Sequence, residues 1–296
     1  RLAAFQHEAN RSLTVAAPLS CRIAARSPRS PSEPFSGAAE MVYARGMADR
    51  SRGSFVTGGT GFIGRHLIER LLERDGGPVF ALVREASLPR LEERRQRWRA
   101  GERVVPVLGD VTEPRLGLSA ADLRRLRGRV GAFFHVAGLY DLTASEEALE
   151  RVNVAGTRHA IAAAQAMQAR SFHHVSSIAA AGRYDGVFRE DMFDEAEGLT
   201  DPYFRTKHVS EGIVRTDCRI PWRVYRPSLV VGHSQSGEMD KVDGPYYLFP
   251  VLEQLGASLP SILRLPGIEG GSMNLVPVDF VAAAIDHIAR LEGRDG

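Results

Sequence analysis

The sequence predicts a doubly wound α/β fold, and two observations carry the prediction. From residue 53 onward, short apolar runs alternate with longer amphipathic segments, the signature of βαβ units around a parallel sheet. The first of these runs leads straight into the glycine-rich stretch Thr57-Gly-Gly-Thr-Gly-Phe-Ile-Gly64, which in turn opens an amphipathic segment.

Before that pattern begins, residues 1–52 carry scattered Arg, Ser, Ala and Pro with no sustained period, as in the stretch from Arg26 to Pro34. They are expected to be a disordered leader outside the fold. The acid-poor, Arg- and Ser-rich composition fits a transit peptide. Met41 and Met47, just ahead of the ordered pattern, fit upstream sequence read in frame before the start, which we favour.

Ser54 to Thr57 then reads as a strand, and Arg65 to Arg74 as a helix with Leu67, Ile68, Leu71 and Leu72 on one face. Val79 to Val83, Val104 to Leu108 and Ala132 to Val136 are further strands. A helix from about Val152 to Ala169 precedes a strand at Phe172 to Val175. Arg223 to Arg226 with Leu229 to Val231 form a later strand, and Val278 to Leu291 a closing helix. Residues 53–236 are expected to form the nucleotide-binding and catalytic region. Residues 237–296 would be a small substrate-binding cap, interleaved with that region and truncated, because the chain stops soon after the last helix.

Composition narrows the function classes. At 296 residues with 44% hydrophobic and 25% charged residues, the chain holds one large domain or one domain with a small cap. A net charge of +2 gives no electrostatic footprint for nucleic acid. No apolar run reaches the ~18–20 residues of a membrane-spanning helix. Cys21 and Cys218 have no metal-ligand spacing and read as free thiols in a reducing cytosol, so no metal is expected and a cytoplasmic location is. Of 38 basic residues only Lys207 and Lys241 are lysines, so each lysine is a rare choice.

The glycine stretch sits between a strand and a helix, the context that a phosphate-binding turn requires. Gly58 permits the tight turn, Gly61 lets the backbone approach a pyrophosphate, and Gly64 allows close packing. The helix that follows offers free N–H groups and a positive dipole end to the anion, and Thr60, Phe62 and Ile63 are further candidate cofactor contacts. The end of the second strand selects between nicotinamide cofactors. An acid there takes a ribose 2′-hydroxyl, whereas Arg accommodates a 2′-phosphate. Here Val83 stands where the acid would fall and Arg84 follows, so NADP(H) is expected, although Glu85 partly offsets that charge. Asp110 and Val111 follow the third strand and Ala137-Gly138 the fourth. Asp110 is placed to bind the adenine amino group and Ala137-Gly138 to pass under the ribose.

Tyr203-Phe-Arg-Thr-Lys207 puts a phenol and an ammonium one helical turn apart on one face. Tyrosine ionises near pH 10, and a lysine within a few ångströms, with an oxidised nicotinamide's positive charge, is expected to lower that value.

With these residues in hand, the chain from about Phe55 to its end resembles the extended short-chain dehydrogenase/reductases, which have the Rossmann fold. The resemblance rests on the glycine loop, Gly109-Asp-Val111, Asn153-Val-Ala-Gly-Thr157, Val175-Ser-Ser177, the Tyr203–Lys207 pair and Arg226-Pro227. It implies that Ser177, or Ser176 if the register slips by one, hydrogen-bonds the substrate carbonyl. It also implies that Asn153 holds the active-site helix and that Pro227 contacts the nicotinamide. His173 and His174 read as packed strand residues rather than bases. The stretches Gly109 to Ser119, Tyr225 to Gly237 and Asn274 to Phe280 are similar to the thioester and fatty acyl-CoA reductases. That similarity implies hydride transfer from NADPH to a thioester carbonyl, with Ser177, Tyr203 and Lys207 catalytic.

Three readings stay open beside it: ketone/alcohol chemistry of the hydroxysteroid or dihydroflavonol reductase type, nucleotide-sugar epimerisation, and a non-catalytic NADP sensor. The last class typically loses the Tyr or the Lys, and this chain keeps both. The apolar stretch from Tyr246 to Leu252 favours a lipid-like substrate. Tyr140, Lys241 and Tyr246 are candidate substrate contacts, with Lys241 meeting an anionic group such as a coenzyme A phosphate. Expected partners are thus a small molecule with an apolar acyl chain or thioester, with a homodimer also compatible with the sequence.

Overall fold

Six short runs rich in apolar residues become strands, and the central ones are buried on both faces. They are Gly53–Thr57 (β1), Val79–Val83 (β2), Val104–Leu108 (β3), Val130–His135 (β4), Ser171–Val175 (β5) and Trp222–Tyr225 (β6). The computed structural model describes residues 52–74, 76–141, 144–239 and 274–291. The expected leader up to residue 51, Cys21, Lys241 and Tyr246 lie outside the described residues. All six strands pair in parallel, in the order β3-β2-β1-β4-β5-β6. This is the doubly wound Rossmann arrangement, and the strand order reverses between β1 and β4.

Alternation along each strand builds two core layers. Phe55, Phe133 and Phe172 form an aromatic row on one face, with ring centroids 4.8 and 5.4 Å apart. It packs under the helices Ala120–Leu126 (α3), Gly156–Ala166 (α5) and Pro202–Asp217 (α6) through Leu123, Ala160, Ala163, Ile213 and Val214. On the other face, Val56, Phe134 and Val175 meet Leu67, Ile68 and Leu71 of Phe62–Leu72 (α1), Leu91 of Leu88–Arg97 (α2), and Val281 and Ile285 of Val278–Ala289 (α7). Thus the described end of the segment expected to form the cap, residues 274–291, contributes to the Rossmann core.

Three local departures from the sequence reading have physical causes. The helix expected from Val152 begins instead at Glu146–Leu149 (α4), which Ser145 caps by accepting from Ala148 N at 3.3 Å, and it continues through a π turn at Glu150–Ala155 into α5. The single late strand is two: β6 ends the main sheet, whereas Leu229–Val231 (β7) pairs with Leu275–Pro277 (β8) in a separate parallel pair. Helices α2 and α3 are additional to those expected. Among the described residues no helix is long and apolar enough to cross a membrane.

Candidate active site

β1 and β4 lie side by side and end together, so their following loops face one crevice at the carboxyl edge of the sheet. Gly58 follows β1 with φ +70°, and a Cβ there would lie 2.7 Å from the Ala137 nitrogen in the loop after β4. A Cβ on Gly64 would lie 2.1 Å from the Gly58 oxygen. Both glycines are therefore required by contact: the turn, the first turn of α1 and the β4 loop press together. Gly61 N donates to Gly58 O at 2.9 Å, closing the turn ahead of Phe62 and Ile63. Gly61 occupies the N-cap of α1 without a side-chain cap, and no acid stands in its first turn. The N–H groups at this end, beside Thr60, suit a pyrophosphate.

Around that turn, β2 ends at buried Val83, and exposed Arg84 leads into a single 3₁₀ turn at Glu85–Ser87. Deeper in, Arg65 of α1 is buried and donates to Glu238 Oε1 at 2.8 Å, while Arg94 of α2 stands 4.0 Å from the same oxygen. Asp110 Oδ1 accepts from both the backbone and the hydroxyl of Thr112 at 2.9 Å, which fixes the carboxylate after β3. Val111 O accepts from His159 Nδ1 at 3.0 Å, tying that loop to α5.

The Tyr–Lys pair rides on α6, whose start is well defined. Asp201 caps it by accepting from Tyr203 N at 2.8 Å and Phe204 N at 3.3 Å, and Pro202 takes the first helical position. Tyr203 and Lys207 are both buried. The Tyr203 hydroxyl stands beside Ser177, which follows β5 and whose hydroxyl favours the ionised phenol. Ser176 turns away instead: its side chain is buried and its backbone N–H donates to Tyr225 O at 2.8 Å. Of the two serines, Ser177 is the one beside the phenol. Lys207 Nζ donates to Val175 O at 3.3 Å. A Cβ on Gly138 would lie 3.2 Å from that nitrogen, so glycine keeps the β4 loop open over the ammonium. Asn153, in the π turn, grips the Leu139 backbone through both amide atoms at 2.8 and 3.2 Å and reaches Thr206 Oγ1 at 3.3 Å. Tyr140 packs edge-on against Tyr203 at 5.1 Å. Pro227 O accepts from Ile178 N at 3.1 Å, joining the segment after β6 to the Ser177 segment.

From the chain's own groups, burial pushes the Tyr203 phenol up to about 12, with Ser177 acting the other way; the expected lowering by lysine and an oxidised nicotinamide concerns the cofactor-bound site. Burial pulls Lys207 down to about 8, and its proton is directed at the Val175 carbonyl. The phenol thus stays protonated at neutral pH. His173 is locked between Ser171 and Tyr225, and burial holds it neutral, down at about 3. Burial likewise holds His174 well below the usual histidine range. Both are packed strand residues, in line with the sequence reading.

Sequence reasoning missed His135, Thr57 as a side-chain partner, and Glu211. The last is fully buried and anchors Arg226, which also donates to the carbonyl oxygens of Arg189 and Met192 at 3.2 and 2.7 Å. Arg226 thereby fastens the long connection between Ser177 and Tyr203 to the helix that carries the pair.

With this geometry established, comparison with known proteins is decisive. Residues 56–285 match the family described as male sterility protein, a family of NAD-binding domains. The chain belongs to that family. Within that family it carries an NAD-binding domain of the extended short-chain dehydrogenase/reductase type. It is 30% identical over 270 residues to a linear gramicidin synthase polypeptide of Brevibacillus parabrevis, covering 86% of this chain and 5% of that protein. A Drosophila melanogaster protein named as a fatty acyl-CoA reductase is 27% identical over 274 residues, covering 77% of this chain and 50% of the other. Among solved structures, the terminal R domain from the myxalamid PKS-NRPS biosynthetic pathway superposes with a TM-score of 0.69 at 29% identity. That match covers 83% of this chain and 64% of the other. The chain therefore spans half or less of the two curated relatives.

Proposed function

We propose that this member of the male sterility family reduces an acyl thioester to an aldehyde or alcohol, with NADPH as the hydride donor. The observation that supports it most is the convergence of Ser177, Tyr203 and Lys207 at the carboxyl edge of the sheet, beside the glycine turn. The glycine-only contacts at Gly58 and Gly64 suit a dinucleotide laid across that edge. Arg84, with no acid at the end of β2, would meet the 2′-phosphate and select NADPH.

NADPH, held along the glycine turn, would supply a hydride for the thioester carbonyl, giving a hemithioacetal whose hydroxyl proton passes to the departing sulfur as thiol leaves and an aldehyde remains. The chain's part is to hold the carbonyl oxygen between two hydroxyl donors and to deliver a proton to it. Ser177 donates one hydrogen bond and Tyr203 the other, aimed where negative charge develops. Tyr203, protonated at neutral pH, gives its proton to that oxygen. Lys207, next to it on α6, stabilises the phenolate left behind, and Asn153 holds the neighbouring loop and helix in register. Tyr140 and Ile178, 42 and 48% exposed, flank the two hydroxyls with apolar surface that suits an acyl chain.

Loss of NADPH absorbance measured against a panel of acyl-CoAs and apolar ketones tests the proposal. Turnover of thioesters, abolished by Tyr203→Phe, is the expected result. Turnover confined to ketones would reassign the substrate class while keeping the catalytic residues.

A further inference from the structure

His135 ends β4 fully buried, and each of its ring nitrogens meets a threonine hydroxyl. Nδ1 lies 2.9 Å from Thr57 Oγ1, across 78 residues of sequence, and Nε2 lies 3.3 Å from Thr157 Oγ1. The threonines decide which nitrogen carries the proton. Thr157 Oγ1 donates its one proton to Asn153 O at 2.7 Å, the shorter of its two contacts, so toward the ring it can only accept. Nε2 is then the protonated nitrogen and Nδ1 the bare acceptor, which Thr57 serves as donor. Thr57 Oγ1 in turn accepts from Ala137 N at 3.2 Å. One directed chain results: Ala137 N–H to Thr57, Thr57 to His135, His135 to Thr157, Thr157 to Asn153. A second proton on the ring is opposed by burial, which pulls His135 down to about 3, and by the Lys207 charge.

The two ends of this chain are the two halves of the site. Thr57 and Ala137 belong to the glycine turn and to the β4 loop pressed against it. Asn153 sits in the π turn and holds Leu139 and Thr206, the residue before Lys207. A π turn inserted in an otherwise regular helix often marks a functional position, and here it presents Asn153 to both.

We propose that His135, as its neutral Nε2–H tautomer, is a positioning residue that couples the dinucleotide turn to the Asn153 turn and the Lys207 helix. It touches neither substrate nor cofactor. The proposal rests on the dinucleotide-binding reading above, and its test is read without turnover.

Thr157 is fully buried in α5, outside the glycine turn, and reaches that turn through His135. Thr157→Val keeps its shape and removes the hydroxyl. It should weaken NADPH binding roughly two- to tenfold, the scale of one buried hydrogen bond. His135→Asn cuts the same link, because the shorter side chain cannot reach Thr157. In that background Thr157→Val should cost nothing further, whereas independent structural effects would multiply. NADPH dissociation constants from fluorescence titration of the four proteins give the coupling. Wild-type affinity in Thr157→Val, or multiplying losses in the double variant, overturns the proposal. Long-range ¹H–¹⁵N spectra of the wild-type protein give a second measure if His135→Asn does not fold. An Nε2–H pattern for His135 supports the chain, and an Nδ1–H or doubly protonated ring overturns it. Wild-type protein that binds no NADPH would refute the function proposed above, and the tautomer would still decide the role of His135.

Discussion

Lys207 Nζ donates to the carbonyl oxygen of Val175 at 3.3 Å, so the ammonium on α6 is pinned to the strand end that leads to Ser177. Burial pulls this lysine down to about 8 from 10.5. Its folded-state value lies below its unfolded one, so the unfolded chain binds the proton more tightly. Stability therefore falls as pH drops from 10.5 to 8, and at pH 7 the full cost, about 3 kcal/mol at most, is present. Lys207→Met should raise stability by roughly 1–3 kcal/mol at pH 7 while abolishing turnover. Urea denaturation at pH 7 checks it, and a destabilised Lys207→Met would mean that the Val175 hydrogen bond outweighs burial.

Much of this arrangement was legible in the sequence, for identifiable reasons. Val79–Val83, Val104–Leu108 and most of β4 are continuous apolar runs, and the glycine turn and the Tyr203–Lys207 spacing are local patterns. Helix α2 was not legible, because it buries only Leu91 and presents no apolar stripe; Arg97–Glu93 and Arg95–Glu92 pairs line its surface instead. Helix α3 did carry a signal, Ser119 three residues before Asp122, whose N–H it caps at 3.1 Å. The π turn cannot be read from residue types, since its i→i+5 bonds widen one turn locally without requiring any particular side chain. The His135 chain joins residues far apart in sequence, and only the pairing of β1 with β4 brings them together.

The choice between adjacent serines follows from burial and partner. Ser177→Ala removes a donor from the Tyr203 pair and should lower turnover roughly 10²–10³-fold. Ser176 Oγ is buried with no hydrogen-bond partner among the described residues, so Ser176→Ala should leave turnover within about threefold and stability unchanged or slightly higher. Tyr203→Phe should abolish turnover and leave NADPH affinity intact. Steady-state rates of the three variants decide, and a larger loss in Ser176→Ala than in Ser177→Ala would reverse the assignment.

Cofactor preference should turn on Arg84. It is exposed at the end of β2 with no acid at Val83, so Arg84→Asp removes a partner for the 2′-phosphate and supplies one for a 2′-hydroxyl. NADPH affinity should fall about tenfold or more, and NADH affinity should rise relative to it. Titration with both cofactors checks this, and a wild type that already favours NADH would refute the NADPH assignment.

The buried histidines predict acid lability with a defined sign. Burial holds His135 and His173 down at about 3 from 6.5, and His174 well below 6.5. In the unfolded chain each would bind a proton near pH 6.5. Above that value both states are neutral at these sites and the stability is fully present. As pH falls from 6.5 toward 3, only the unfolded chain gains protons, so stability drops by about 1.4 kcal/mol per pH unit for each histidine. Urea midpoints measured between pH 8 and pH 4 should be level at first and then decline below about pH 6.5. His173 is the cleanest site to remove, since it lies on the face of the sheet away from α6 and stacks on Phe134 at 4.7 Å. His173→Gln should shrink the slope by one proton's share without altering NADPH affinity. A decline whose slope is the same in His173→Gln and in the wild type would overturn the share assigned to His173.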